Sequence, residues 1–422
     1  MLIYCFHLVV LRNSVTMPSQ SSVKKEFLRN MEYLNKISSK LCLYPFHGTT
    51  KTKRIGFFVI CSVISCTMIQ LSLSLIIDGL SDMKGFCNIA PNIGACLMTM
   101  IKYAKVYIHR DTYDLMMTHY RNDMWSIIPE NSVLNLNEII RYKTVLNLVQ
   151  RFLHNYFTRS LIIVLISVPW IISVYEHKIL GSDVQYLPFD GWYPFDKVKW
   201  YALIYVWEGF MTALVVYIYT FVDVINISII LYTSMELKIL GNLIKNIVTD
   251  EDIAKITNKQ YVQDVHKKIH INLKLIIKRH EFLDRVTSGL DSIIGDMNLL
   301  LYLIGPIFLC LTAFTFTVAD GFYESLRYFF FFISLTIGIL DQCLTGQILS
   351  DHSVKLAEAI YASNWIYADH RTKITLLILL IRVQKPFTLT AKGYKTMDLN
   401  TMTDICSTAY QYFNLLRTIH QQ

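Results

Sequence analysis

The chain has 422 residues, of which 53% are hydrophobic and 17% charged, with a formal net charge of +8. That balance is too apolar for a soluble domain of this length. The basic excess reads as loop bias in a membrane protein rather than as a nucleic-acid surface.

At the N-terminus, Met1–Leu11 is apolar but short, with no basic stretch ahead of it, so it does not read as a cleaved signal peptide. Met17 is an alternative start. Residues 55–77 and 297–319 each run 23 residues without a charge. Both exceed the roughly 20 residues that cross about 30 Å of hydrocarbon. Between and beyond them lie further apolar runs at 86–108, 155–175, 200–224, 328–349 and 398–417, giving seven segments. The seventh is the most polar, with Thr, Ser, Gln and Asn mixed through it. The short run 374–381 sits between basic residues and reads as a helix outside the membrane. Nine cysteines stand at wide spacings, mostly inside apolar runs, with Cys87 alone near an outer loop. That is no disulfide scaffold.

Lys and Arg set the orientation. Residues 1–54 hold 9 of them, 109–159 hold 6, 232–296 hold 10 and 350–397 hold 7, which is 32 on one side. Only Lys84, Lys178, Lys197, Lys199, Arg327 and Arg417 lie on the other. The positive-inside rule then puts the N-terminus in the cytosol and the C-terminus outside. The expected fold is an all-α polytopic membrane helical bundle of seven transmembrane helices. It divides into a cytosolic segment 1–54, helices one to four in 55–231, a cytosolic helical connection 232–296, helices five and six in 297–349, cytosolic anchor helices 350–397, and a last helix with a short outer tail in 398–422. In the long connection, Ile269, Leu273, Ile276 and Leu283 recur at helical spacing among lysines, an amphipathic pattern that continues into the fifth segment. Val354–Tyr367 continues inward from the sixth in the same way. These helices form either a subunit interface or a surface packed on their own chain. No internal repeat is visible, which weighs against an inverted-repeat transporter.

Enzyme motifs are missing: there is no HExxH, GxSxG, Walker A or GxGxxG. Ser350, Asp351 and His352 are consecutive, point in different directions on a helix and form no triad. His266 and His270 have i,i+4 spacing without a third ligand, so a solvated face is the simpler reading. No catalytic residue, metal or cofactor is expected. Acids inside a membrane are costly and point to function or to a buried polar contact. Asp341, beside Gln342, fits either. Glu208 lies near the outer boundary and reaches water by snorkelling. Pro91, Pro169 and Pro306 interrupt three segments; proline kinks open space for ligands but are also common in membrane helices. The outer loop 176–199 is dense in aromatics and suits an interface belt that partly covers a pocket. On the seventh helix Thr408, Gln411, Leu415 and Thr418 form one stripe. Such a stripe is expensive against lipid. It lines a pore with an apolar ring at Leu415, or it is buried in a monomeric bundle.

The C-terminal run from Ala359 resembles the corresponding region of insect odorant receptors. The likeness is carried by Ala359, Tyr361, Ser363 and Trp365, by RVQKPFTLTA from Arg382 to Ala391, and by STAYQYFNLLR from Ser407 to Arg417. The outer-loop stretch LPFDGWYPFD is also similar. The resemblance implies an odorant-gated, non-selective cation channel in the dendritic plasma membrane of a sensory neuron. It implies a heterotetramer with a shared co-receptor, anchored by the cytosolic helices, with a pore built from the last helices. Volatile odorants would bind in the outer half of the bundle, between the second, third, fourth and sixth helices. Matching the family's Tyr-Phe pair to Tyr412 and Phe413 puts the gate on Leu415 and an outer polar constriction on Thr418, beside Ile419. Arg417, Thr418 and His420 depart from the co-receptor's closing pattern, which implies a ligand-tuning subunit. By depth alone, Ala95, Met98, Val168, Ile171, Tyr205, Met211, Phe329 and Phe332 are the candidate ligand contacts, apolar or aromatic as a volatile ligand requires. The competing readings are a gustatory-type receptor of the same superfamily and a G-protein-coupled receptor. The latter is opposed by the orientation and by the position of the Asp284–Arg285 pair in the connecting helix.

Overall fold

The structure is a computed structural model that describes residues 20–43, 51–79, 83–126, 128, 133–180, 185–189, 191–319 and 321–421. Met17 and the side chain of Cys87 lie outside the described residues. Everything regular is helical; among the described residues the only β pairing is an isolated bridge between Thr390 and Thr396.

The helices are α1 (Gln20–Lys40), α2 (Lys51–Ser74), α3 (Met83–Ile108), α4 (Arg110–Thr118), α5 (Val133–Val149), α6 (Thr158–Tyr175), α7 (Tyr201–Lys245), α8 (Asp250–Thr257), α9 (Val262–Val318), α10 (Phe322–Tyr361), α11 (His370–Val383) and α12 (Leu399–Gln421). Wider π-helical turns at Gln150–Phe157 join α5 to α6. The third segment is therefore a much longer helical element than 155–175. Its early part is helical because Leu136, Ile139, Tyr142, Val145, Leu146 and Val149 present one buried face.

Five elements among the described residues are long and apolar enough to cross a membrane: Lys51–Ile77, Leu134–Lys178, Tyr201–Thr257, Val262–Val318 and Phe322–Tyr361. Helices α3 and α12 occupy the second and seventh apolar segments of the sequence. At 57 residues α9 spans about 85 Å at 1.5 Å per residue, far more than hydrocarbon needs. Its first half buries Val265, Ile269, Leu273, Ile276, Leu283, Val286 and Leu290, the stripe the spacing called for. Helix α7 has 45 residues and is almost wholly buried from Phe221 to Leu237. It is the central post of the bundle and packs along α10, while α9 packs along α10 and α12.

One close approach requires glycine. A Cβ at Gly346 would collide with the Met397 carbonyl, so α10 and the chain entering α12 touch backbone to backbone. Just before that point, Lys392 and Gly393 turn the chain with φ of 53° and 77°. This turn is pinned to α9. The Thr390 hydroxyl donates to Asp291 Oδ2 at 2.9 Å, and the Asn298 amide donates to the Thr390 carbonyl at 3.3 Å. Lys105 and Lys392 close on the two oxygens of Asp296 at 2.6 and 2.8 Å.

Candidate functional site

One end of the bundle is closed by the loop between α6 and α7. Leu187 and Phe189 are buried over the ends of α6, α7 and α10. The Tyr186 N–H donates to Ser173 Oγ at 2.8 Å, Tyr201 Oη donates to the Tyr186 carbonyl at 2.9 Å, and Tyr323 Oη donates to the Leu187 carbonyl at 3.0 Å. Glu208 ties the loop down. Its oxygens accept from the Phe189 N–H at 3.0 Å and from Tyr193 Oη at 3.0 Å, and the residue is 0% exposed. Glu208 therefore does not snorkel to water, as its depth suggested. The inward fold of the loop covers it, and two donors replace the water.

Below this plug lies a cavity of about 130 Å³ between α3, α6, α7, α9 and α10. Its walls include Gly94, Met98, Leu165, Val215, Phe308 and Leu335. The absent side chain of Gly94 makes room for the Phe308 ring, since a Cβ there would overlap it. Pro91 borders the cavity; Pro169 and Pro306 are buried in their helices. Of the residues nominated by depth, Ala95 and Met98 line this space. Val168, Ile171, Tyr205, Met211, Phe329 and Phe332 do not. Ile171 and Phe329 face outward, Met211 is fully buried in the core, Phe332 packs against that core, and Tyr205 Oη donates to the Ile166 carbonyl. The corresponding cavity residues stand deeper on each helix: Leu161 and Leu165 on α6, Val216 and Tyr219 on α7, Ser334 and Leu335 on α10.

At the cavity floor is a buried ion pair. Lys102 Nζ lies 2.7 and 2.8 Å from the two oxygens of Asp223 and 3.6 Å from the centroid of the Tyr219 ring. The Gln342 amide also donates to Asp223, at 3.2 Å. Asp341 is 8% exposed and lies next to this group on α10. A small void of about 10 Å³ lined by Asn226, Asn298 and Gln342 adjoins it. Sequence reasoning named Asp341 and Gln342 but passed over Lys102 and Asp223 as a pair. The available signal was a lysine and an aspartate of opposite charge, both inside apolar segments.

On α12, Thr401, Ile405 and Ala409 are buried, with Phe413 and Leu416 packed on Leu311 and Phe314. The other side is open in the single chain. Leu415 is 59% and Ile419 55% exposed; Gln411 and Thr418 are exposed and Thr408 is half-buried. The hydroxyls of Thr408 and Thr418 donate back to the carbonyls of Asp404 and Asn414 at 2.8 and 2.9 Å. Elsewhere, His352 Nδ1 donates to the Ile348 carbonyl at 2.7 Å, and Nε2 bonds with Tyr142 Oη at 2.8 Å. No group of three metal-ligating side chains occurs among the described residues.

Long membrane-length helices around a plugged apolar cavity mark a helical membrane protein. Comparison with known proteins then places it. A family model described as 7tm Odorant receptor matches residues 82–410, and the chain belongs to the odorant receptor family. It is 26% identical over 247 residues to Odorant receptor 85b of Drosophila melanogaster, covering 58% of this chain and 59% of that protein. It is 30% identical over 146 residues to Odorant receptor 49a of the same fly, covering 34% and 37%. These alignments thus reach at most about three-fifths of either relative's length. The fold is similar to that of the olfactory receptor OR5 from Machilis hrabei in complex with eugenol, with a TM-score of 0.76 at 14% identity over 93% of this chain and 100% of that one.

Proposed function

We propose that this chain is the odorant-tuning subunit of a ligand-gated, non-selective cation channel assembled with a shared co-receptor as a heterotetramer in the plasma membrane. In this reading it crosses the bilayer seven times, with a cytosolic N-terminus, an extracellular C-terminus and the division at 1–54, 55–231, 232–296, 297–349, 350–397 and 398–422. The observation that carries it is the open face of α12. Gln411, Leu415 and Thr418 have no partner helix in the single chain, yet a polar face in a membrane belongs against protein or water. Symmetric copies around an axis supply both, with Leu415 as an apolar ring. The volatile ligand occupies the cavity beneath the loop plug. The turn at Thr390 and the Gly346–Met397 contact connect its walls on α9 and α10 to α12. A similar fold has been solved holding eugenol, a small aromatic molecule of the size class such a cavity takes.

The test is current recording from cells expressing this chain with a co-receptor and no added G protein. Odorant-evoked cation current is expected. Silence across a broad volatile panel, with the protein confirmed at the surface, overturns the reading.

A further inference from the structure

Four side-chain hydroxyls line the cavity: those of Thr99, Tyr219, Thr220 and Ser334. Two are spent. Thr99 Oγ1 donates to the Ala95 carbonyl at 2.7 Å. Thr220 Oγ1 donates to the Val216 carbonyl at 2.9 Å and accepts from Thr158 at 3.0 Å. Helical Ser and Thr ordinarily bond back to the preceding turn, as Ser325, Thr336 and Thr345 do on α10 itself. Ser334 makes no such bond and has no hydrogen-bond partner among the described residues. Ser334 stands in the wall of the apolar cavity.

Tyr219 stands on the same wall. Its hydroxyl lies 3.7 Å from the position a Cβ would take at Gly338, one helical turn after Ser334. Residues four apart share a helix face with about 6 Å between them, so Ser334 and Tyr219 border the same side of the cavity. Lys102, the cation nearest to it, is already held by Asp223 and the Tyr219 ring. An ionised ligand would lose its hydration without a counter-charge.

Resting on the reading of this cavity as the odorant site, we propose that Ser334 and Tyr219 form its polar anchor. The ligand class it selects is then compact, neutral molecules with an apolar body and a single oxygen function. Hydrocarbons fit the space but leave Ser334 unpaired, and amines and carboxylates are rejected.

The test uses purified full-length protein in lipid nanodiscs, with probes of equal size: hexanol, its isomer methyl pentyl ether, heptane, and hexylamine. Binding is read by ligand-induced thermal shift, without the co-receptor. Hexanol and the ether are expected to bind more tightly than heptane, with hexylamine weakest. Ser334→Ala lowers affinity for the two oxygenated probes about five- to tenfold, the worth of one hydrogen bond, and leaves heptane unchanged. Ser334→Thr retains the preference, and Tyr219→Phe weakens it in part. Equal losses for all probes, no loss for any, or tight hexylamine binding overturns the anchor. Binding of no probe overturns the cavity as a ligand site. Normal binding with no current in the co-expressed channel counts against the channel reading alone.

Discussion

Lys102 on α3 and Asp223 on α7 meet at 2.7 Å with side chains 7% and 14% exposed, directly beneath the candidate ligand cavity. The pair joins two helices that are far apart in sequence, and its lower edge is held by Gln342 of α10. A single replacement leaves a buried charge unmatched, which costs about 3–5 kcal/mol. Lys102→Met or Asp223→Leu alone is expected to cut surface expression sharply and lower thermal stability. The double variant is expected to recover most of both, because it removes the stranded charge. Additive losses in the double variant, measured in nanodiscs, would sink this account.

Leu415 projects from the open face of α12. If it forms the apolar ring of a pore, Leu415→Ala is expected to raise resting leak and shift gating while the rank order of odorants stays the same. A changed odorant preference with unchanged leak contradicts the assignment. The check is a dose–response series for several odorants alongside the unstimulated current.

Glu208 accepts from both Phe189 and Tyr193, so one side chain holds the loop plug at two points. A typical intramolecular hydrogen bond is worth about 0.5–1.5 kcal/mol. Glu208→Ala is expected to speed amide hydrogen exchange across residues 186–195 and broaden ligand access. Glu208→Gln keeps one acceptor oxygen and falls between. Unchanged exchange at the Phe189 amide in the alanine variant would show that the loop is held by other means.

His280 sits in the first half of α9, outside the expected bilayer span, against the Phe387 ring at 5.2 Å. Burial pushes its pKa below the ordinary histidine value, with the charge of Arg382 adding to the effect. Its unfolded value is about 6.5. The unfolded chain therefore takes up a proton that the folded chain resists. The stability is fully present above that value and is lost as pH falls toward the depressed folded one. Detergent-solubilised protein is expected to melt at a lower temperature at about pH 5.5 than at about pH 7, and His280→Phe should shrink the difference. An equal pH dependence in that variant rules His280 out as the source.

Orientation is checked with epitope tags. A tag after Gln422 is expected to stain intact cells, and a tag ahead of Gln20 to stain only permeabilised ones. The reverse pattern overturns the count of Lys and Arg as a guide to topology here.

Two of the long apolar helices were legible from the chain directly. Ile55–Ile77 and Met297–Ala319 are uninterrupted because hydrocarbon admits no unpaired charge, a constraint every residue of a span meets locally. The buried stripe Ile269–Leu273–Ile276–Leu283 was legible for a similar reason, since helical period and one-sided burial leave a pattern along the chain. The cavity was not. Depth counting placed it level with Ile171 and Phe329, but Leu187 and Phe189 fold inward and fill that level, so the space opens further in, around Leu165 and Ser334.

What the sequence determined by itself was the class of fold, its long helices and its family likeness, all carried by local hydropathy, period and a contiguous C-terminal stretch. What the tertiary structure decided was which side chains meet: Lys102 with Asp223, Glu208 with the loop, Ser334 with the other walls of the cavity. Those meetings depend on the relative rotation and depth of helices separated by tens to hundreds of residues. Packing across the whole bundle sets that register, and no single stretch of chain records it.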